Sequence, residues 1–301
     1  MAEHDFLREL TLCTMQRAGQ LTLGVRVDGG VLDVRAAAAA RGLRAPLTVE
    51  AALRGEDLDG LRELVGAAQR GDRASVVPER DVVFGPCVTR PEKIIMMGMN
   101  YRKHCEETKI PPPAVPALFN KYANALLGHG GTLHLPSKVA SQFDYESELV
   151  VVIGRRARDV AAKDALSCVF GYCNGNDFSA RDLQFKTSQF MNGKCSDGFA
   201  PLGPWLVGAA RVPDPQRLRI ECRVNGELRQ SSSTSDMIFT CADLVSFASS
   251  IMTLAPGDLI FTGTPEGVIL GKPEAERVWL KAGDRVTTAI EELGELTFTL
   301  A

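Results

Sequence analysis

The chain has 301 residues, 45% hydrophobic and 24% charged, which permits a large buried core in one large domain or a large domain plus a small one. A net charge of −3 and a pI near 5.9 provide no basic field, so neither nucleic acid nor an anionic membrane is an expected partner. No apolar run approaches the roughly 18–20 residues of a membrane span, Met1–Leu10 is charged without an apolar h-region, and the eight cysteines form no C-x-x-C pair, so the expectation is a soluble cytoplasmic chain with reduced thiols and no structural zinc.

Residues 20–35 alternate around Asp28-Gly29-Gly30 and read as a β-hairpin. Residues 36–40 and 48–69 are helix-prone, with leucines at 53, 58, 61 and 64 and a break at Gly55. The turn-rich stretch 71–92, with Pro78, Pro86 and Pro91, marks an expected boundary between a small N-terminal α+β domain (1–88) and a main domain (89–301).

The main domain opens with K-I-I-M-M-G-M-N-Y (93–101), a buried strand running into a glycine, followed by R-K-H-C-E-E-T and the extended proline-rich loop 110–116. Residues 144–154, D-Y-E-S-E-L-V-V-V-I-G, form its centre: 149–153 reads as a strand buried on both faces. If that strand already runs through Asp144, Glu146 and Glu148, their side chains share one face. Residues 161–169 read as a helix, and the apolar segment after it ends in Asn176-Asp177. An Asn225-Gly226 turn marks a hairpin over 219–228. Thr240 and Asp243 form a capping-box pattern ahead of a helical stripe at Leu244, Phe247, Ile251 and Met252. Pro256-Gly257-Asp258 ends that helix and starts a strand at 259–262, with further strands expected at 278–280, 285–290 and 296–300. There are no βα repeats of a barrel and no G-x-G-x-x-G.

Five clusters could carry chemistry. Glu146 and Glu148 side by side would raise one another's pKa unless a cation lay between them, and such hard oxygens suit Mg²⁺ or Mn²⁺; a solvated strand end is the equal alternative. Asp177 would add a third carboxylate, although a loop Asn-Asp also suits plain turn chemistry. His104 and Glu107, three apart on one helical turn, let a carboxylate orient an imidazole, as ordinary surface pairs also do. Lys194, among small residues in G-K-C-S-D-G, could stabilise an anion or simply be solvated. In G-T-P-E-G-V (263–268) backbone N–H groups could hold a carboxylate or make only a structural turn.

Taken in order, G-M-N-Y-R-K-H-C-E-E, D-Y-E-S-E-L-V-V-V-I-G, N-D-F-S-A-R-D-L-Q, the Lys194 loop with P-L-G-P, and G-T-P-E-G-V resemble the fumarylacetoacetate hydrolase superfamily over residues 93–300. V-N-G-E-L-R-Q-S-S-S-T and T-L-A-P-G-D-L-I-F-T-G-T-P resemble its type-2 domain-containing branch. The resemblance implies an α+β fold whose catalytic domain is a mixed β-sandwich roll, usually a homodimer, with Mg²⁺ or Mn²⁺ on Glu146, Glu148 and Asp177. It also implies Lys194 facing the substrate, Arg181 and Gln184 lining the pocket, Thr264 and its backbone taking a substrate carboxylate, and His104 with Glu107 as a dyad on a lid helix.

The implied activity is that of an enzyme acting on a 2-oxo (2,4-dioxo) acid through a metal-stabilised enolate, first of all C–C hydrolysis of an acylpyruvate. Oxaloacetate tautomerisation or decarboxylation and 2-oxo-dienoate isomerisation use the same site, and a low-activity metal-binding scaffold is the reading of a different class. The chain departs from the family pattern at Y-C-N-G-N-D and at L-Q-F-K-T-S-Q-F-M-N (183–192). The latter segment and the lid with its proline loop (103–116) are where substrate identity is expected to be set.

Overall fold

The computed structural model of the chain describes residues 2–301, with side chains from Asp5 onward. Its backbone element is an open ten-stranded sheet. In spatial order the strands are Val76–Val77, Gly30–Asp33, Gln20–Val27, Thr11–Arg17, Leu206–Gly208, Val169–Asn176, Ser147–Ile153, Leu259–Phe261, Ile94–Gly98 and Ala117–Lys121. Neighbours are antiparallel except Leu259–Phe261 beside Ile94–Gly98, which is parallel. A five-stranded sheet is built on the Arg219–Val224/Glu227–Ser233 hairpin, extended by Arg285–Ile290, Gly294–Leu300 and Thr132–Leu133. The expected mixed α+β architecture is therefore present.

Ser147–Ile153 is interior to the sheet, and all seven of its residues are buried. Its period of two splits the apolar run between two cores. Leu149, Val151 and Ile153 pack with Leu244, Val245 and Ala248 of the helix Cys241–Ile251, whereas Val150 and Val152 join Phe178, Phe261 and Phe298. Both Thr240 and Asp243 make the capping-box bonds that their spacing predicts.

The hairpin around Asp28-Gly29 forms, and the helix-prone stretches become Val34–Arg41, Val49–Leu53 and Leu58–Gln69. The N-terminal strands do not form a sheet of their own. Thr11 and Leu12 pair with Val207 and Leu206, so the main sheet runs straight across the boundary region near residue 88. Buried Glu50 ties the same junction, accepting from the Thr89 N–H (2.6 Å), the Thr89 hydroxyl (2.9 Å) and the Arg90 N–H (3.0 Å).

Three local expectations are corrected. The acidic stretch is not one strand: Phe143–Asp144 pairs with Ser179–Ala180, and Tyr145-Glu146 breaks the run before Ser147. The stretch 161–169 holds only the short helix Ala162–Ala165 and a 3₁₀ turn, because the β-branched Val169 already begins a strand. Near 278–280 only Leu280 makes a bridge, to Phe143.

Candidate active site

The antiparallel pair Ser147–Ile153/Val169–Asn176 places Glu148 opposite Gly175, and where the pair ends the Asp177 N–H donates to the Glu146 carbonyl at 2.8 Å. A Cβ on Gly175 would lie 2.5 Å from both the Phe261 ring and the Val150 side chain, so only glycine fits there. This crossing brings Glu146, Glu148 and Asp177 together. All three are buried, each offering an oxygen within 4.8 Å of the others. Asp144 is not part of the set, because the break at Tyr145-Glu146 turns it away. Its carboxylate accepts the N–H groups of Ile269 and Leu270 and pairs with Arg181.

Cations bracket two of the three acids. Glu146 meets Arg181 Nη2 at 2.6 Å and Lys194 Nζ at 2.8 Å, and Lys194 also reaches Asp177 at 2.8 Å. Burial alone would push the Glu146 carboxyl up, but Arg181 and Lys194 more than offset it and hold it far below the usual range. Glu148 is in the opposite condition. Burial, then the charges of Asp177 and Glu146, push its carboxyl well above normal, and against this stands chiefly the Gly263 N–H at 2.8 Å.

On a facing wall, the helix Arg102–Thr108 carries His104 and Glu107, with His104 Nδ1 2.8 Å from Glu107 Oε1. The other Glu107 oxygen accepts the Gly267 N–H at 2.9 Å. The start of this helix is fastened by Arg102 to the carbonyls of Asp236 and Met237, and by the Lys103 N–H to the Asp236 carboxylate. His104, the three acids, Arg181, Gln184, Lys194 and Thr264 line one cavity of about 180 Å³. A larger cleft of about 620 Å³ lies by the N-terminal strands, but its Arg26 and Glu79 pair with each other at 3.0 Å, and among the described residues the converging acids lie in the other cavity.

The same architecture recurs among known proteins. Residues 93–301 match the family model of the fumarylacetoacetate hydrolase C-terminal domain. The chain belongs to the fumarylacetoacetate hydrolase family. The mitochondrial oxaloacetate tautomerase FAHD2B of Bos taurus is 46% identical over 222 residues, 73% of this chain and 69% of that one. The fumarylacetoacetate hydrolase of Exiguobacterium antarcticum superposes with a TM-score of 0.81 at 32% identity, over 97% of this chain and 99% of that one. The maleylpyruvate hydrolase of Sphingobium sp. SYK-6, solved with manganese(II) and pyruvate, gives 0.75 at 30% identity, covering 97% and 98%.

A divalent cation fits the acid set of this fumarylacetoacetate hydrolase-family chain. Three buried carboxylates converge, and Glu148, pushed up by burial and its acidic neighbours, is the group a cation would relieve. The Thr264 hydroxyl is already committed, donating to the Ser147 carbonyl and accepting from Gln230, both at 2.9 Å. What Thr264 can offer a ligand is therefore its backbone. Arg181 is committed likewise, to Asp144, Glu146 and the Gln184 carbonyl oxygen (2.9 Å), which leaves the Gln184 amide nitrogen as the freer group.

Sequence reasoning missed Lys121. It lies at the end of the edge strand Ala117–Lys121, fully buried, 2.6 Å from Asp177 and donating to the carbonyls of Phe178 and Phe199. Burial, with Lys194 nearby, pulls its ammonium below the usual lysine value. Nothing local distinguishes F-N-K-Y as a site; its role arises from strand pairing alone.

Proposed function

We propose that this protein is a Mg²⁺- or Mn²⁺-dependent enzyme that moves a proton at C3 of a 2-oxo acid, interconverting its keto and enol forms. The observation that carries the reading is one cavity with a carboxylate-oriented histidine on one wall and three converging acids on another. Glu146, Glu148 and Asp177 would hold the cation. When bound, it supplies Lewis-acid polarisation of the 2-oxo group.

The residues of the chain do the rest. Glu107 holds His104 Nδ1 as the N–H tautomer, so Nε2 is the basic atom available to the cavity. In the keto-to-enol direction Nε2 takes the C3 proton and delivers it to the enolate oxygen, and in the reverse direction it takes the enol O–H proton and delivers it to C3, which interconverts the two tautomers. Lys194, raised above the ordinary lysine value because Asp177 and Glu146 outweigh its burial, stays charged and offsets negative charge developing on the substrate. The backbone of Thr264 and the Gln184 amide orient the substrate. Naming of the bovine relative as an oxaloacetate tautomerase makes oxaloacetate the first substrate to try.

C–C hydrolysis of an acylpyruvate is the second reading, supported by the maleylpyruvate hydrolase of Sphingobium aligning over 97% of this chain. There His104 would activate a water against the distal carbonyl. A homodimer is proposed with both readings. The eight free thiols suit a reducing compartment, for which the cytoplasm is the proposal here and the mitochondrion the location in the bovine relative's name.

The test follows enol–keto conversion of oxaloacetate and cleavage of acetylpyruvate by metal-loaded protein, beside chelated protein and His104→Ala. Conversion abolished by chelator and by His104→Ala supports the tautomerase reading. Cleavage without accelerated conversion transfers the assignment to hydrolysis, and activity indifferent to chelator rejects the metal reading.

A further inference from the structure

We infer that Gln230 is a positioning residue of this site, setting the Thr264-Pro265 backbone that receives the substrate against the strand that carries Glu148. The inference deepens the proposed 2-oxo acid reading and rests on it. Gln230 belongs to the strand Glu227–Ser233 of the five-stranded sheet and stands behind the cavity wall, which Thr264 itself lines.

A β-bulge brings it there. Leu228 and Gln230, two apart, would share one face of a regular strand, yet Leu228 is 45% exposed and Gln230 is buried. Cys222 pairs with Gln230 and Arg223 with Leu228, so Arg229 is an extra residue that turns the glutamine inward. The loop that holds Thr264 is seated on the same bulge: a Cβ on Gly267 would lie 2.3 Å from the Arg229 carbonyl oxygen.

The Gln230 amide then meets three partners. Its Oε1 accepts the N–H of Ser147, the residue between Glu146 and Glu148, at 3.0 Å, while Nε2 donates to the Thr264 hydroxyl at 2.9 Å and the Pro265 carbonyl at 2.8 Å. A flipped amide would set N–H against N–H and oxygen against oxygen, so the partners fix its orientation. The Thr264 hydroxyl donates in turn to the Ser147 carbonyl at 2.9 Å, which closes a circuit between the acid-bearing strand and the substrate loop. A hydrocarbon in place of the amide makes none of these bonds. A carboxylate keeps the first and turns an oxygen on the Pro265 carbonyl. Because the loop holds a part of the substrate that does not react, misplacing it weakens ground state and transition state alike and belongs in KM, not in kcat.

The test follows enol–keto conversion of oxaloacetate at saturating Mn²⁺, where a weakened metal site cannot imitate the effect. Calorimetry of oxalate binding to the same Mn²⁺-loaded protein and a thermal melt accompany it. Gln230→Met should raise KM and the oxalate Kd at least about tenfold and leave kcat within about threefold. Gln230→Glu should share the rise in KM although its contact with Ser147 survives. Thr264→Val cuts the circuit from the loop side at nearly equal volume and should move KM in the same direction; it decides the matter where Gln230→Met does not fold.

A lowered Tm with KM and oxalate affinity within about twofold of the parent would make Gln230 a packing residue and overturn the inference. A loss carried by kcat at unchanged KM would overturn it too, as would a Gln230→Glu protein with the parent's KM, since the Ser147 contact alone would then suffice. Each of these leaves the parent's turnover, and the reading beneath, in place. If the Mn²⁺-loaded parent neither converts oxaloacetate nor binds oxalate, that reading falls and takes the inference with it.

Discussion

Glu107 and Gly267, 160 residues apart in the chain, are joined by a 2.9 Å hydrogen bond from the Gly267 N–H to the carboxylate that orients His104. One carboxylate thus fixes the imidazole and fastens its helix to the G-T-P-E-G-V loop. The backbone of Gly271 lies against the same group, so that a Cβ there would fall 2.6 Å from Glu107 Cδ. With Glu107 held at both oxygens, that side chain cannot yield without disturbing His104.

Gly271→Ala should therefore lower kcat by about 10- to 100-fold, since a displacement near 1 Å can cost about 10² in rate. Its Tm should stay close to that of the parent. Steady-state kinetics beside a thermal melt checks this, and an unchanged kcat would show that the fastening plays no part in catalysis.

Lys121→Met removes a buried cation from Asp177 and should destabilise the metal-free protein by about 3–5 kcal/mol, the usual cost of breaking a buried ion pair. A divalent cation supplies positive charge to the same acid. Mn²⁺ should consequently raise the Tm of the variant by more than it raises that of the parent. Equal shifts in the two proteins would mean that Lys121 and the cation act on separate groups.

Glu148→Gln should melt no lower than the parent in chelator, because burial and two neighbouring acids oppose the charge on Glu148. In Mn²⁺ the variant should lose most of the metal-induced shift, with metal affinity reduced at least about tenfold, the loss typical even of residues that only support a ligand. A Mn²⁺ titration that matches the parent would remove Glu148 from the ligand set.

Glu50 gives the pH dependence. Burial pushes its carboxyl up, but the hydrogen bonds it receives, among them those from Thr89 and Arg90, hold it below 4.5. Its folded value is depressed, so its contribution is present above about pH 4.5 and disappears as pH falls through the folded value. Glu50→Gln should cost about 1 kcal/mol at pH 7, the difference between a charged and a neutral acceptor. The gap between parent and variant in urea unfolding should then close below pH 4.5. A gap that persists unchanged at low pH would assign the loss to packing.

Features encoded within a few residues were legible from sequence. The Asn225-Gly226 turn, the Thr240–Asp243 capping box and the buried run at 149–153 form as read, because a turn type, a cap or a strand answers to local chemistry. The dyad spacing was legible for the same reason: a three-residue offset meets itself on any helical turn. The first strand, Thr11–Arg17, was not, since five buried residues followed by two exposed ones give no clean period of two.

By itself, the sequence determined the elements that carry a local signature, such as the Asn225-Gly226 hairpin and the capped helix at 241–251, the order of the motifs and a surplus of acid near residue 146. The tertiary structure decided which acids meet. Asp144 and Glu148 have equal claim by alternation, yet a two-residue break in the strand sends one to Arg181 and the other to Asp177. It likewise brought Lys121 to Asp177 and Gly267 to Glu107. Local periodicity states which way a side chain points from its own backbone, whereas a site depends on where distant segments pair, and that is set by the register of the whole sheet.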